Sequence, residues 1–248
     1  MIGTTVDLAP PEALAHAVGG TFRDTGREFL RHFIDIGRLT PSDRVLDVGC
    51  GVGRMAVPLT GFLDERGHYR GFDVMADAVA WCQSEITTRD PRFEFRHVDL
   101  HNPAYNRGGG THASDFVFPY DDASFDFVFL TSVFTHMLPA DVRRYLAEIG
   151  RVLVPGGRCF ATLFLLNAES LALLRSGLSP VYHFRHRLEE CRTLDARTPE
   201  NAVAYEEDRM RGWFRASGLE WAGRPVYGTW CTRLGGLSLQ DIVVARKG

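Results

Sequence analysis

The apolar residues of this chain fall into short runs separated by helical stripes. Val45, Leu46 and Val48 make a buried-strand run interrupted only by Asp47. Residues 68–74 form a second run around Tyr69 and Phe72, and residues 92–98 alternate Phe93, Phe95 and Val98 with Arg92, Glu94 and Arg96. Phe127-Val128-Phe129-Leu130 is a fourth strand, residues 158–166 a fifth, 219–227 a sixth and 238–245 the last. Between them the period changes to that of helices. Phe22, Phe29, Leu30, Phe33 and Ile34 mark a helix over 21–39 that Gly37 and Pro41 end. Further helices are predicted from the glycine-rich turn to about residue 62 with Pro58 as a kink, and over 76–87 and 141–153. Another is predicted over 205–217, with Gly218 after it. Strands alternating with helices in this way predict an α/β domain with a mainly parallel sheet.

Three stretches depart from the alternation. Residues 12–18 form a short helical pattern between Pro10-Pro11 and Gly19-Gly20. Residues 101–111 are a glycine-rich insertion with no strand or helix signal, read as a flap or a surface loop. In residues 167–201 the pattern weakens to a short helix around Leu171, Leu173 and Leu174 and a basic, aromatic run through Tyr182, Phe184, Arg185 and Arg187.

Composition narrows the class. The 248 residues are 45% hydrophobic and 24% charged, as expected of a globular domain with a sizeable core. A net charge of -3 argues against a dedicated nucleic-acid surface. Cys50, Cys82, Cys159, Cys191 and Cys231 are odd in number and lack C-x-x-C spacing, so they read as reduced thiols of a cytoplasmic protein. The first seven residues do not read as a signal peptide, and no apolar run approaches the roughly 20 residues of a membrane span.

The chemistry gathers where the first strand ends. Gly49, Gly51 and Gly53 form a turn that side chains would block, opening positive φ and close backbone approach to a ligand. Such a ligand would lie beyond the carboxyl end of a parallel strand. Gly51-x-Gly53-x-x-Ala56 with Asp73 also fits a loose dinucleotide fingerprint. Asp47 tilts the choice, because an acid beside the loop repels a pyrophosphate and welcomes a cation.

The segment D-x-G-x-G-x-G over residues 47–53 resembles the first motif of class I S-adenosylmethionine (SAM) dependent methyltransferases. Residues 118–126 resemble that family's P-F-x-D-x-S-F-D segment, and Leu153-Val154-Pro155-Gly156-Gly157 its L-x-P-G-G turn. The resemblance covers roughly residues 20–166 and the last strand. It implies a single domain of residues 1–248 with a doubly wound, Rossmann-like sheet of seven strands, the last antiparallel. It implies SAM as cofactor, a helical cover over residues 1–40 and a substrate cap over 167–201.

The cofactor set it implies is centred on Asp47, Gly49, Cys50, Gly51, Gly53 and Arg54. Asp73 with Val74 would hold the ribose, although Asp73 also reads as a plain helix cap. Asp99 and Leu100 would meet the adenine, with Asp115-Phe116 as a second candidate pair. Phe22, with Thr25 and Gly26, would close over the methionine end, and Thr131 would line the site after the fourth strand. Packing alone is the equal alternative for that helix.

The acceptor is expected to be a small molecule. Oxygen methylation is favoured over nitrogen or carbon, with a nicotinamide oxidoreductase or a non-catalytic SAM-binding protein as rivals. His136, just beyond the fourth strand, is the candidate general base. Its alternative is a histidine that bonds the backbone. His183-x-x-His186 lacks a partner acid at ligand spacing, so no metal is expected. Arg185 and Arg187 would bind an acidic substrate group or form an exposed basic loop. The sequence leaves the oligomeric state open.

Overall fold

The computed structural model describes residues 8–17, 21–103, 105–179 and 181–248. The chain divides into two compact units, Met1–Gly110 with Ser124–Phe129, and Thr111–Ala123 with Leu130–Gly248. The expected N-terminal helical pattern is present as α1 (Glu12–Ala17). Residues 1–7, read for a leader, and 18–20, with Gly19-Gly20, lie outside the described residues.

The first unit contains α2 (Phe22–Asp35), β1 (Arg44–Val48), α3 (Ala56–Thr60), β2 (His68–Asp73), α4 (Ala76–Cys82), β3 (Phe93–His97) and β4 (Phe125–Leu130). Its sheet is parallel throughout, in the order β3-β2-β1-β4, and Asp47 of β1 faces Gly71 on one side and Phe129 on the other. The chain steps outward from β1 to β3 and then returns to the other flank of β1. That reversal is where open α/β sheets bind ligands. The stripe on α2 does the packing: the Phe33 ring lies 4.4 Å from Phe129 and 5.8 Å from Phe127. Full burial of one such side chain stabilises the unit by roughly 1.5–3 kcal/mol.

Two helix expectations change. α3 stops at Thr60, short of residue 62, and Pro58 is its third residue. A proline in the first turn forfeits no hydrogen bond, so no kink arises there. Residues 76–87 are helical as expected, but the last five, Gln83–Thr87, widen into a π-turn.

The second unit contains α5 (Pro139–Val152), β5 (Leu153–Leu166), α6 (Ala168–Arg175), β6 (His186–Arg187), β7 (Arg192–Thr193), β8 (Val203–Glu206), α7 (Glu207–Ala216), β9 (Leu219–Trp221) and β10 (Asp241–Lys247). β5 serves two neighbours. Residues 158–163 pair antiparallel with β10, and 164–166 pair parallel with β8. β9 pairs antiparallel with β10, while β8, β7 and β6 pair antiparallel in succession.

The seven expected strands are therefore present as β1–β5, β9 and β10, with the last antiparallel to β5. β6, β7 and β8 are additional. Tyr205 and Glu206, expected to open a helix, belong to β8 instead, and α7 starts at Glu207. The rungs to β5 at Phe164–Leu166 override the local helical pattern there. The sixth strand is shorter than expected, ending at Trp221, with Val226 retained as a single bridge to Ile242. α6 is set by a reciprocal cap: Ser170 N–H donates to Asn167 Oδ1 at 3.0 Å and Asn167 N–H donates to Ser170 Oγ at 2.9 Å.

Candidate cofactor and acceptor sites

In the first unit the turn after β1 is held by backbone groups. Gly49 and Cys50 N–H both donate to the Phe72 carbonyl at 3.0 Å. Gly49, Gly51 and Gly53 have φ of 85°, 50° and 69°, so all three sit in the left-handed region that glycine tolerates. Asp73 Oδ2 accepts from Gly51 N–H at 2.7 Å and Oδ1 from Met75 N–H at 2.9 Å. Asp73 thus joins the loop to the segment before α4, whose N-cap residue is Met75 and not Asp73. Each carboxylate oxygen keeps further acceptor capacity, enough for a ribose hydroxyl. Val74 N–H also lies against this carboxylate.

Asp47 is 1% exposed. Its Oδ2 accepts the Tyr69 hydroxyl at 2.6 Å, while Oδ1 is enclosed with no partner. Burial pushes its pKa up to about 8, opposed by the Tyr69 hydrogen bond and reinforced by Asp73. A buried carboxylate oxygen without a donor beside a glycine turn suits a cationic ligand, and the ammonium and sulfonium of SAM are of that kind. Cys50 and Cys82 line the same turn, with Cys82 Sγ 3.6 Å from the Gly51 carbonyl. Burial raises both thiol pKa values, so neither is a reactive thiolate. Arg54 follows the turn, and burial lowers its pKa against the pull of Asp47.

α2 rests on this turn through Gly26. A Cβ there would lie 2.5 Å from the Arg54 carbonyl oxygen. Gly26 is thereby a packing residue, while Thr25 is half-buried and the Phe22 ring meets Trp81 of α4 edge-on at 6.5 Å. Beyond β3, Asp99 is exposed and Leu100 buried. The glycine-rich insertion folds onto this pair. Asn102 and Asn106 bridge each other, and Asn106 Nδ2 and Gly110 N–H donate to Asp99 at 3.2 and 3.3 Å. The competing Asp115 lies in the second unit, exposed in a single 3-10 turn.

Sequence reasoning missed two residues here. Tyr69 read only as a strand residue, yet its hydroxyl is the donor to Asp47. At Gly71 a Cβ would lie 2.8 Å from Cys50 Cβ and 2.9 Å from Tyr69 Oη. A glycine inside a strand was the available signal for such close approach.

In the second unit, Thr131 is half-buried and Ser132 carries φ of 61°, a left-handed conformation rare for a non-glycine residue. A polar ring holds it. Ser132 N–H donates to Thr162 Oγ1 at 2.7 Å, Thr162 Oγ1 donates to Gln240 Oε1 at 2.6 Å, and Gln240 Nε2 donates to Ser132 Oγ at 2.9 Å. Thr135 Oγ1 lies 3.1 Å from Ser132 Oγ. None of these groups stood out along the sequence.

His136 is half-buried, and its Nδ1 is 2.9 Å from the Glu200 carbonyl oxygen. A carbonyl only accepts, so Nδ1 carries the hydrogen and the neutral ring keeps a lone pair on Nε2. Glu200 belongs to the stretch expected to be a cap, and the Tyr205 hydroxyl bonds the Met137 carbonyl beside His136. The same stretch builds an aromatic cluster. Phe164 lies 4.8 Å from Tyr182, 5.2 Å from Phe184 and 5.4 Å from Trp230 between ring centroids. Asp241, fully buried, accepts from Trp230 Nε1 at 2.8 Å and from Gly228 and Leu165 N–H at 2.7 Å each.

The fold and the turn thus define an α/β protein with a glycine turn and two buried acids at the end of its first strand. The family profile described as "Methyltransferase domain" matches residues 46–161, which include the end of that strand, the turn, β4 and α5. That segment belongs to the class I SAM-dependent methyltransferase family, whose cofactor is S-adenosylmethionine. Over 125 residues the chain is 32% identical to O-methyltransferase cnsE of Penicillium expansum, covering 49% of this chain and 38% of that protein. It is 30% identical over 128 residues to the 27-O-demethylrifamycin SV methyltransferase of Amycolatopsis mediterranei, covering 52% and 41%. The chain thus matches about two fifths of the length of these curated relatives. A SAM-dependent methyltransferase structure from Methanosarcina mazei superposes with a TM-score of 0.56 at 23% identity, over 86% of this chain and 96% of that one.

Proposed function

We propose that this protein transfers the methyl group of SAM to a hydroxyl of a small-molecule acceptor, with His136 as general base. The observation that carries the choice of oxygen is the Glu200 carbonyl on His136 Nδ1, which leaves Nε2 as a proton acceptor. The named activities of the two relatives above support the same reading.

SAM supplies, when bound, a methyl group made electrophilic by its sulfonium. The chain's own residues do the rest. Asp47 and the backbone of Gly49, Gly51 and Gly53 receive the cationic end, and Asp73 with Val74 the ribose. Asp99, held by Asn106 and Gly110, presents a carboxylate for the adenine amino group, with Leu100 against the ring. Phe22, Cys50 and Arg54 border the turn, and Thr131 is a further residue for the cofactor. His136 Nε2 takes the hydroxyl proton as that oxygen becomes the nucleophile, a contribution of roughly 10²–10⁴ in rate. Orientation of the acceptor supplies several further kcal/mol. The buried free thiols and the mildly acidic composition support a cytoplasmic reaction on a small molecule.

Transfer of a labelled methyl group from SAM to a panel of phenols, alcohols and amines tests the reading. Label appearing on hydroxyl acceptors, with loss of transfer in His136→Ala, is the expected result. Calorimetry with SAM and NADH separates it from a nicotinamide enzyme, since Asp47 disfavours the pyrophosphate. Transfer confined to amines would remove the oxygen assignment, and SAM binding without any transfer would remove the enzyme assignment.

A further inference from the structure

The short hairpin within the cap stretch carries an unusual pairing. β6 and β7 share two rungs, His186 opposite Thr193 and Arg187 opposite Arg192. Directly opposed residues of an antiparallel pair share one face with Cβ atoms about 4.5–5.5 Å apart, and like charges there destabilise the pair. Arg192 also has its Nε enclosed without a hydrogen-bond partner. Arg175, in the last turn of α6, belongs to the same field. Burial first, then Arg187 and Arg175, lowers the pKa of Arg192, with Glu206 opposing them.

This hairpin is joined to the residues around His136. β7 pairs with β8, the turn between them carries the Glu200 carbonyl bonded to His136, and Tyr205 of β8 bonds the Met137 carbonyl. An oxyanion between the two guanidinium groups would cancel the repulsion and use the planar forks that favour carboxylate and phosphate.

We propose that Arg187 and Arg192 form a binding site for an oxyanion, a phosphate or carboxylate borne by the methyl acceptor. The acceptor part of this rests on the methyltransferase reading above. The binding of the oxyanion itself does not.

The test titrates the full chain with inorganic phosphate, followed by melting temperature and by the phosphorus-31 line. Sodium acetate, and sodium chloride at matched ionic strength, are run beside it. Wild type should be stabilised by phosphate or acetate and not by chloride, and the stronger of the two identifies the group. Arg187→Gln and Arg192→Gln should each lower that affinity about tenfold or more, as loss of a charge-assisted pair implies. Without anion both should melt no lower than wild type, because one of two like charges is gone. Arg224→Gln, exposed and outside the hairpin, should titrate like wild type. In transfer assays a free-acid acceptor should be preferred to its methyl ester, and the preference should fall in both arginine variants through KM.

A chloride response equal to phosphate and acetate, or unchanged affinity in both variants, would overturn the site. Oxyanion binding with no SAM binding would overturn its role in acceptor recognition and the methyltransferase reading with it. Methyl transfer by a chain that ignores both oxyanions would overturn this site alone.

Discussion

The two units differ in how far along the chain their functional groups reach for partners. In the first, the side-chain contacts around the glycine turn join residues 22 positions apart, Asp73 with Gly51 and Asp47 with Tyr69, or 31 apart, Cys82 with Gly51. In the second, His136 meets Glu200 across 64 positions, Asp241 meets Leu165 across 76 and Gln240 meets Ser132 across 108. Successive strand-turn-helix units hold the first site, so a short motif can specify it. The second set is assembled from three short strands and a late loop, so no short motif specifies it.

Four substitutions probe this division. The largest effect is expected for His136→Ala. The chemical step at saturating SAM should slow by roughly 10²–10⁴, while SAM affinity by calorimetry stays at the wild-type value. A loss in SAM affinity instead would erase the separation of roles.

Asp47→Asn comes next and should act only on the first unit. SAM affinity should fall by roughly 1.5–3 kcal/mol, the range for hydrogen bonds to a charged group. The ligand-free protein should respond in the opposite sense. The Asp47 pKa is raised from 3.8 to about 8, so the fold holds this proton more tightly than the unfolded chain does. The stabilisation this supplies is complete below about pH 4 and is lost as pH climbs through about 8. Urea unfolding of wild type should show that decline, and the asparagine variant should lack this component. SAM affinity should rise over the same window as the carboxylate ionises.

Gly71→Ala tests the packing beneath the turn. The new Cβ would meet Cys50 and Tyr69 at under 3 Å, an overpacking cost of roughly 1–3 kcal/mol. Unfolding should report that loss and SAM affinity should drop with it, since Cys50 must move. Acceptor preference should not shift.

Trp230→Phe is the mildest. It removes the donor to Asp241 and keeps the aromatic cluster, at a cost of about 1 kcal/mol. The KM for the acceptor should move and SAM affinity should not. A change in SAM affinity would count against the assignment of this cluster to the acceptor side.

Much of the first unit was legible from residue order. Asp47, the three glycines and Asp73 follow one another at the ends of apolar runs, and alternating strands and helices leave such a turn few places to go. Strand periodicity also located β1–β5, β9 and β10, with shifts only at their ends. Tyr69 and Gly71 were hidden because their roles depend on what the neighbouring strand presents at the same register. The short strands β6–β8 were hidden because runs of two to four residues carry no period.

The sequence by itself determined the fold class, the position of the glycine turn and the chemical character of the acid beside it. These follow from local spacing, from backbone freedom at glycine and from the apolar periods of strand and helix. Only the tertiary structure decided which nitrogen of His136 is bare, which polar ring holds Ser132 and that Arg187 faces Arg192. Each of those depends on pairing across a strand register or on a carbonyl brought from a distant loop. Strand register and distant contacts are set by the packing of the whole unit, and no short window of residues encodes them.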